Sequence, residues 1–559
     1  MVFIKHQVLN LCFNTVTGEM MNTCENIAYT CLRKPCEVGQ GGRIAYKWIH
    51  NDLTDSQYTY AAVDQASNRF AHVLKSLGIK KGERVSVYLP KSPELIECFF
   101  GILKTEAVSC ILFSTFGESA LYDRLSDSQT RFVVTRLSLL KRIRKALEEG
   151  PTNLQAILVT DLEAHQDDFV LSLPRLLADA PAEFDFPAQL DAETPAFIQY
   201  TSGSTGKPKG ALHVHSASTS MVASFKEVFH LEESDRYWCT ADPAWITGLV
   251  YGVIAPLVTL TDQIQFGGNF NAESWLGILQ KEQVNIWYTA PTALRMLMQE
   301  EEQLFRQYDY SRLKRMYSVG EPLNPEVYYW GKKVFGVEIY DNWFQSETGS
   351  IMITNQPGLA VKPGSMGKPL SYIEAYILDE QMQPALVRQQ GFLCLKKGWP
   401  SMFRTYINKE DLYREKFNGD SYISGDLAYR DEEGYFWYVS RSDDVINTAG
   451  HLVGPFEVES ALLEIEEVVD VAVIGVPDPI LHEKIIAFLC LKKGCEWSRA
   501  LELKCRVNIS NKVSTTATPQ EYHLVDRIPK NKSGKILRRV LKAWYEGKDP
   551  GDLSTMEEA

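Results

Sequence analysis

No stretch of this chain has the length of unbroken apolar sequence that a membrane span needs. The longest candidate, residues 249–260, carries Tyr, Gly and Pro and reads as core. The first fourteen residues lack a basic segment leading into an apolar run, so a secretory leader is not expected. Positive charge is not in excess. The formal net charge is -13 and the pI about 5.4, which excludes a nucleic-acid surface along the whole chain. A local cluster of Lys, Arg and backbone N–H groups can still hold an anion against that global sign. Paired cysteine motifs are missing too. There are 11 Cys, and the tightest grouping, Cys24, Cys31 and Cys36, has neither zinc spacing nor a His to complete it. Reduced thiols in a cytoplasmic protein are the expectation. Internal repeats and low-complexity tracts are also absent.

What is present is an ordinary globular composition, 45% hydrophobic and 23% charged, over 559 residues. That length is too great for one core, so two or more domains are expected. In the first half, residues 60–77 and 93–105 have helical spacing, while 84–89, 109–113, 132–135 and 156–160 read as short buried strands. Alternation of this kind implies parallel α/β layers. A second, smaller unit begins near Arg441 with the polar Ser442-Asp443-Asp444. It continues with a helix-like 455–465 and strand-like 468–475 and 485–491. The tail from Lys548 is polar and acidic.

The strongest local signal is Tyr200-Thr-Ser-Gly-Ser-Thr-Gly-Lys-Pro-Lys-Gly210, which follows a strand-like run from Ala196. Gly203, Gly206 and Gly210 let a backbone fold around an anion. Thr201, Ser202, Ser204 and Thr205 add hydroxyls, and Lys207 and Lys209 add charge, a set suited to a triphosphate. The spacing is not that of a Walker A loop. Taken alone, the segment could also be a solvated hairpin, but linkers seldom carry two Lys, a Pro and a preceding apolar strand.

Four more motifs follow in order: Tyr340-Asp-Asn-Trp-Phe-Gln-Ser-Glu-Thr-Gly349, Tyr422-Ile-Ser-Gly-Asp426, Arg441-Ser-Asp-Asp444 and Pro529-Lys-Asn-Lys-Ser-Gly-Lys535. Together with the loop they resemble the adenylate-forming superfamily from about residue 20 to the C-terminus. Trp238-Cys-Thr-Ala-Asp-Pro-Ala-Trp-Ile-Thr-Gly248, Trp287-Tyr-Thr-Ala-Pro-Thr-Ala-Leu-Arg-Met-Leu297 and Ser318-Val-Gly-Glu-Pro-Leu-Asn-Pro325 are most similar to its acetyl-CoA synthetase subgroup. The resemblance implies an α/β fold with a large N-terminal ATP- and acyl-binding domain of several subdomains, residues 1–442. A small mobile α+β C-terminal domain, residues 443–559, would carry a catalytic lysine. It also implies ATP, Mg2+ and coenzyme A, with AMP and pyrophosphate as products.

The resemblance assigns roles residue by residue. Glu347 and Thr205 help hold Mg2+ near the phosphates. Asp426 accepts the ribose hydroxyls and Arg441 serves ribose or phosphate. Gly320, Glu321 and Pro322 line one face of adenine, with Asp341, Asn342 and Trp343 at its edge and Gln345 and Ser346 adjoining. Lys535 spans carboxylate and α-phosphate during adenylation. Asp443 is the hinge of a rotation that withdraws Lys535 and presents Ala449 and Gly450, which with Ala290 admit pantetheine. Ile246, Thr247, Val319 and Phe344 surround the acyl chain. A lysine acyltransferase or deacylase acting on Lys535 is a further implied partner.

Three positions depart from the subgroup. Ser346 replaces Thr but keeps a hydroxyl. Phe344 stands where a second Trp is expected, and Leu452 where an Arg near nucleotide phosphate is expected. The expectation is an acyl-CoA synthetase for acetate or another very short acid, with chemistry that can run in either direction. The alternatives are loading of a carrier-protein thiol, a longer or cyclic acid, or a non-catalytic nucleotide-binding relative.

Overall fold

The computed structural model describes residues 22–202, 208–449, 451–531 and 535–550, with 553 and 556. The alternation expected in the first half folds as parallel sheet. Arg84–Leu89, Val108–Phe113, Phe132–Thr135, Ala156–Val159 and Val170–Ser172 run in one direction. Helices Pro93–Lys104, Glu118–Asp127 and Leu137–Glu148 connect them. Nearly every strand residue is buried, which explains why these strands are unbroken apolar runs and not alternating ones. Pro195–Ser202 joins Val108–Phe113 in parallel, and Pro208–Val214 pairs with Pro195–Ser202 antiparallel. The glycine-rich segment thus lies between two paired strands. Gly203, Ser204, Thr205, Gly206 and Lys207 themselves lie outside the described residues.

A second sheet is half parallel and half antiparallel. Ile339–Trp343, Arg315–Ser318, Ile286–Thr289, Arg236–Cys239 and Asp262–Phe266 form its parallel part. At Trp343 the pairing reverses. Ile353–Thr354, Ser365–Pro369, Phe436–Arg441, Ser421–Arg430, Gly391–Lys396 and Ala375–Leu378 continue the sheet antiparallel.

After Arg441 the chain crosses a short turn into a separate five-stranded sheet, Ile446–Thr448, His451–Val453, Val468–Asp478, His482–Leu491 and Glu521–Leu524. Val471, Val473, Ile485 and Ala487 pack with the helices Pro455–Leu463 and Arg499–Lys512. Ala472, Ile474, Ile486 and Phe488 pack on the other side with Leu541 of the helix Arg538–Glu546. This unit therefore has its own two-sided core. It touches the larger body where Asn324 Nδ2 donates to Ser460 Oγ at 2.9 Å. Among the described residues no helix is long and apolar enough to cross a membrane.

Candidate active site

A cleft of about 790 Å3 opens at the carboxyl ends of the parallel strands, which is where open α/β sheets bind ligands. Phe113, Thr240, Ala290 and Gly320 reach it from just at or beyond the ends of four different strands. Thr201, Glu321, Pro322, Asp341, Asn342, Trp343, Gln345, Ser346, Glu347, Asp426, Arg441 and Lys535 line the same cleft, as do Ile246, Thr247, Val319 and Phe344. Ser202 ends its strand beside the undescribed loop. Asp443 and Ala449 do not line the cleft, and Gly450 lies outside the described residues.

Asp426 takes three side-chain hydrogen bonds. It faces Arg441 across two paired strands, which accounts for the fifteen-residue spacing between them. Arg441 Nη1 donates to Oδ1 at 2.9 Å, while Trp343 Nε1 and Gln345 Nε2 each donate to Oδ2 at 2.9 Å. Tyr422 OH donates to Gln345 Oε1 at 2.8 Å, so Gln345 is itself held. Asp426 beside it, more than any other group, raises the Arg441 guanidinium above its ordinary value. Trp343 is therefore more than an aromatic wall, because its indole N–H aims the carboxylate.

Glu347 sits in a tight turn. Gly349 has φ +70°, and a Cβ there would lie 2.2 Å from the Ser401 carbonyl, so only glycine fits. Tyr406 OH donates to Glu347 Oε1 at 2.5 Å, and among the described residues Oε2 takes no hydrogen bond. One carboxylate oxygen fixed and the other without a hydrogen bond among the described residues suits a hard cation such as Mg2+, which usually shares its ligands with substrate phosphates.

The adenine-side residues are fixed from behind. Asp341 accepts from Ser318 Oγ at 2.6 Å, and burial pushes its carboxyl up to about 7. Asn342 Nδ2 donates to Thr354 Oγ1 at 2.9 Å, and its buried Oδ1 is left without a partner. Both Glu321 oxygens are engaged by Thr292 and Arg295, so its backbone is what it offers a ligand. On the acyl side, the Phe344 ring meets Tyr251 edge-on at 5.5 Å. The Tyr251 hydroxyl accepts from Ile351 N at 2.6 Å and pairs with Ser224 at 2.8 Å, so the wall behind Phe344 is rigid.

Lys535 faces Arg441, Asp444, Asp426 and Asp443. It keeps solvent contact at residue level, yet the crowding of the cleft lowers its pKa, with Arg441 adding to the effect. Lys535 N donates to Asn531 Oδ1 and its carbonyl accepts from Asn531 N, both at 2.9 Å, closing the loop that presents it. Ala449, with φ +51°, turns away in the hairpin between Ile446–Thr448 and His451–Val453.

A family model described as AMP-binding enzyme matches residues 36–407, and its C-terminal-domain counterpart matches 457–535. The chain is 43% identical to the acetyl-coenzyme A synthetase of Bacillus subtilis, covering 95% of this chain and 93% of that one. It is 37% identical to that of Pasteurella multocida, covering 95% and 86%. The chain belongs to the AMP-binding enzyme family. Among solved structures, an anthranilate CoA ligase in complex with anthranoyl-AMP superposes with a TM-score of 0.85 at 26% identity, covering 95% of this chain and 98% of that one.

Several residues of this AMP-binding enzyme that shape the cleft carried no motif. Tyr406 holds Glu347. His213, held neutral by burial, meets the Ser346 carbonyl through Nε2 at 2.8 Å and steadies the turn that carries Glu347. Arg538 bonds Glu459, donates to the Val473 carbonyl at 3.1 Å and lies 3.9 Å from Asp444. Tyr422 did stand inside a recognised motif, directly before Ile-Ser-Gly-Asp426, and its burial in an otherwise polar stretch was the available signal.

Proposed function

We propose that this enzyme is an AMP-forming acyl-CoA synthetase whose substrate is acetate or another very short carboxylic acid. A carboxylate oxygen attacks the α-phosphorus of ATP and pyrophosphate leaves. The thiol of coenzyme A then attacks the acyl carbon of the acyl-AMP, and AMP leaves. The observation that carries this reading is the meeting, in one cleft, of the Asp426–Arg441 pair, Glu347 and Lys535 with Ile246, Val319 and Phe344.

Asp426, pre-aimed by three donors, takes the ribose, and the unpartnered Asn342 Oδ1 is placed to accept from the adenine amine. Mg2+ held at Glu347 and Thr205 would neutralise charge on the phosphates. Lys535 neutralises the carboxylate and the α-phosphate as they approach, so that charge developing in the transition state meets a fixed cation. The division into residues 1–442 and 443–559, hinged at Asp443, is part of the proposal, as is presentation of Ala449, Gly450 and Ala290 to pantetheine after rotation. So are a cytoplasmic location and a lysine acyltransferase or deacylase working on Lys535. Acylation there removes the charge that adenylation uses.

The test is AMP release with CoA and a panel of acetate, propionate, butyrate and octanoate. The expected order of kcat/KM is acetate first, propionate close behind and octanoate last. A preference for octanoate would overturn the pocket assignment. Thioester formed on a carrier protein but not on CoA would overturn the acceptor.

A further inference from the structure

Lys416 belongs to none of the motifs above. It precedes the short pair formed by Phe417–Asn418 and Ser421–Arg430, and its carbonyl accepts from Ile423 N at 2.8 Å. Its half-buried ammonium has one weak contact, the Ser424 carbonyl at 3.5 Å. Among the described residues no carboxylate lies within 4.0 Å of it. Its neighbours Lys397 and Lys409, by contrast, pair with Asp420 and Asp127. An ammonium taken partly out of water without a counter-ion is costly.

Its surroundings say what would complete it. A methyl group on Gly425, which has φ +80°, would lie 3.4 Å from Arg441 Nη2 and 3.5 Å from Lys416 Nζ, so two cations flank one glycine. The charges acting on Lys416 are Glu347, Arg441, Lys209 and Asp426, in that order, and burial lowers its pKa more than any of them. Lys535 shares Arg441 and Asp426 but otherwise meets Asp444 and Asp443 on the hinge side. Lys416 therefore stands on the other side of Arg441, toward the Mg2+ carboxylate and the strand that follows the phosphate loop. Glu347 and Arg441 line the cleft, while Lys416 itself does not.

Resting on the ATP-dependent reading above, we propose that Lys416 supplies a second cation to the β- and γ-phosphates of ATP and to the departing pyrophosphate, while Lys535 serves the α-phosphate. The experiment is calorimetric binding of a non-hydrolysable ATP analogue and of AMP to the full chain and to Lys416→Met and Lys416→Arg, with pyrophosphate inhibition of AMP release measured beside it. Lys416→Met should bind the ATP analogue roughly tenfold to a hundredfold more weakly and resist pyrophosphate to a similar degree. Its affinity for AMP and its melting temperature should stay unchanged, and Lys416→Arg should restore most of the loss. Equal weakening toward ATP analogue and AMP, or no weakening, overturns the inference alone. An unaltered chain that binds no ATP analogue overturns the synthetase reading and this inference with it.

Discussion

Lys535 is asked to be charged where charge is expensive. Crowding in the cleft and the Arg441 guanidinium both lower its pKa from the ordinary lysine value. The protonated form is the one adenylation uses, so activity is present below that lowered pKa and is lost as pH rises through it. Acyl-AMP formation, measured by carboxylate-dependent pyrophosphate exchange, should therefore fall on the alkaline side before free lysine titrates, at about 10.4. Thioester formation from supplied acyl-AMP should lack that limb. Lys535→Ala should nearly abolish the first step and spare the second, and equal loss in both would remove Lys535 from its role. Phe344 makes the complementary point. If Phe344 is the acyl wall where a Trp is expected, backed by Tyr251, the pocket should admit one or two more carbons than acetate, and one methylene is worth roughly 1–3 kcal/mol of discrimination. Phe344→Gly should move preference in the carboxylate panel toward longer acids, and Phe344→Trp should sharpen it toward acetate. An unchanged ranking in both variants would take the acyl pocket away from Phe344. Residues such as Lys535, Asp426 and Glu347 were legible because each sits in a short motif whose spacing is set by local chain geometry. Tyr406, His213 and Lys416 were not, because they meet the site through strand pairing and packing between distant segments.

Elements followed the same division. The buried strands Arg84–Leu89 and Phe132–Thr135 and the helix Tyr60–Ser76 could be read to within a residue or two, since two-sided burial and helical spacing are written in the local sequence. The antiparallel half of the second sheet was not anticipated. Gly391–Lys396 carries the apolar run Phe-Leu-Cys-Leu and Ser421–Arg430 alternates in burial over its first half, but their pairing joins segments far apart in sequence, which no local pattern marks. Helix pairing hides another feature. Lys104, buried at the end of Pro93–Lys104, donates to Asp64 Oδ1 at 2.6 Å, Ser67 Oγ at 2.7 Å and Asn68 Oδ1 at 2.6 Å on the helix Tyr60–Ser76. Burial lowers its pKa to about 8. Lys104→Ala would leave buried Asp64 with Arg33 and a weak bond from Asn68 and should cost about 3–5 kcal/mol in urea unfolding, whereas removing an exposed pair such as Arg414 with Glu410 should cost under about 1 kcal/mol. Similar costs for the two would mean that the helix pair does not depend on this cluster.

At the scale of the molecule, one orientation of the smaller unit has to serve one chemical step. Lys535 stands in the cleft while the Ala449 hairpin stands outside it, so this arrangement is the one that suits adenylation. Under the proposed function, transfer to CoA calls for a rotation, and the chain between the two bodies is short. The strand ending at Arg441 and the strand opening at Ile446 leave only residues 442–445 to absorb it. Ser442 N is bonded to the Gly425 carbonyl at 2.9 Å, and Asp444 N and Val445 N to the Arg441 carbonyl at 3.1 and 3.2 Å. Asp443 is exposed, and no backbone hydrogen bond ties its N–H in this turn. It is also not among the residues with positive φ, so the left-handed region does not bar proline at this position. Asp443→Pro should fix φ at the proposed pivot and damage acyl-AMP formation less than thioester formation. Thioester formation from supplied acyl-AMP should fall steeply, because the rotation needs φ or ψ of this residue to change. Single-turnover measurement of each half-reaction, with the melting temperature as a control on folding, separates the outcomes. A loss confined to the second step places the pivot at Asp443, and equal rates in both steps place it at another of the four linking residues.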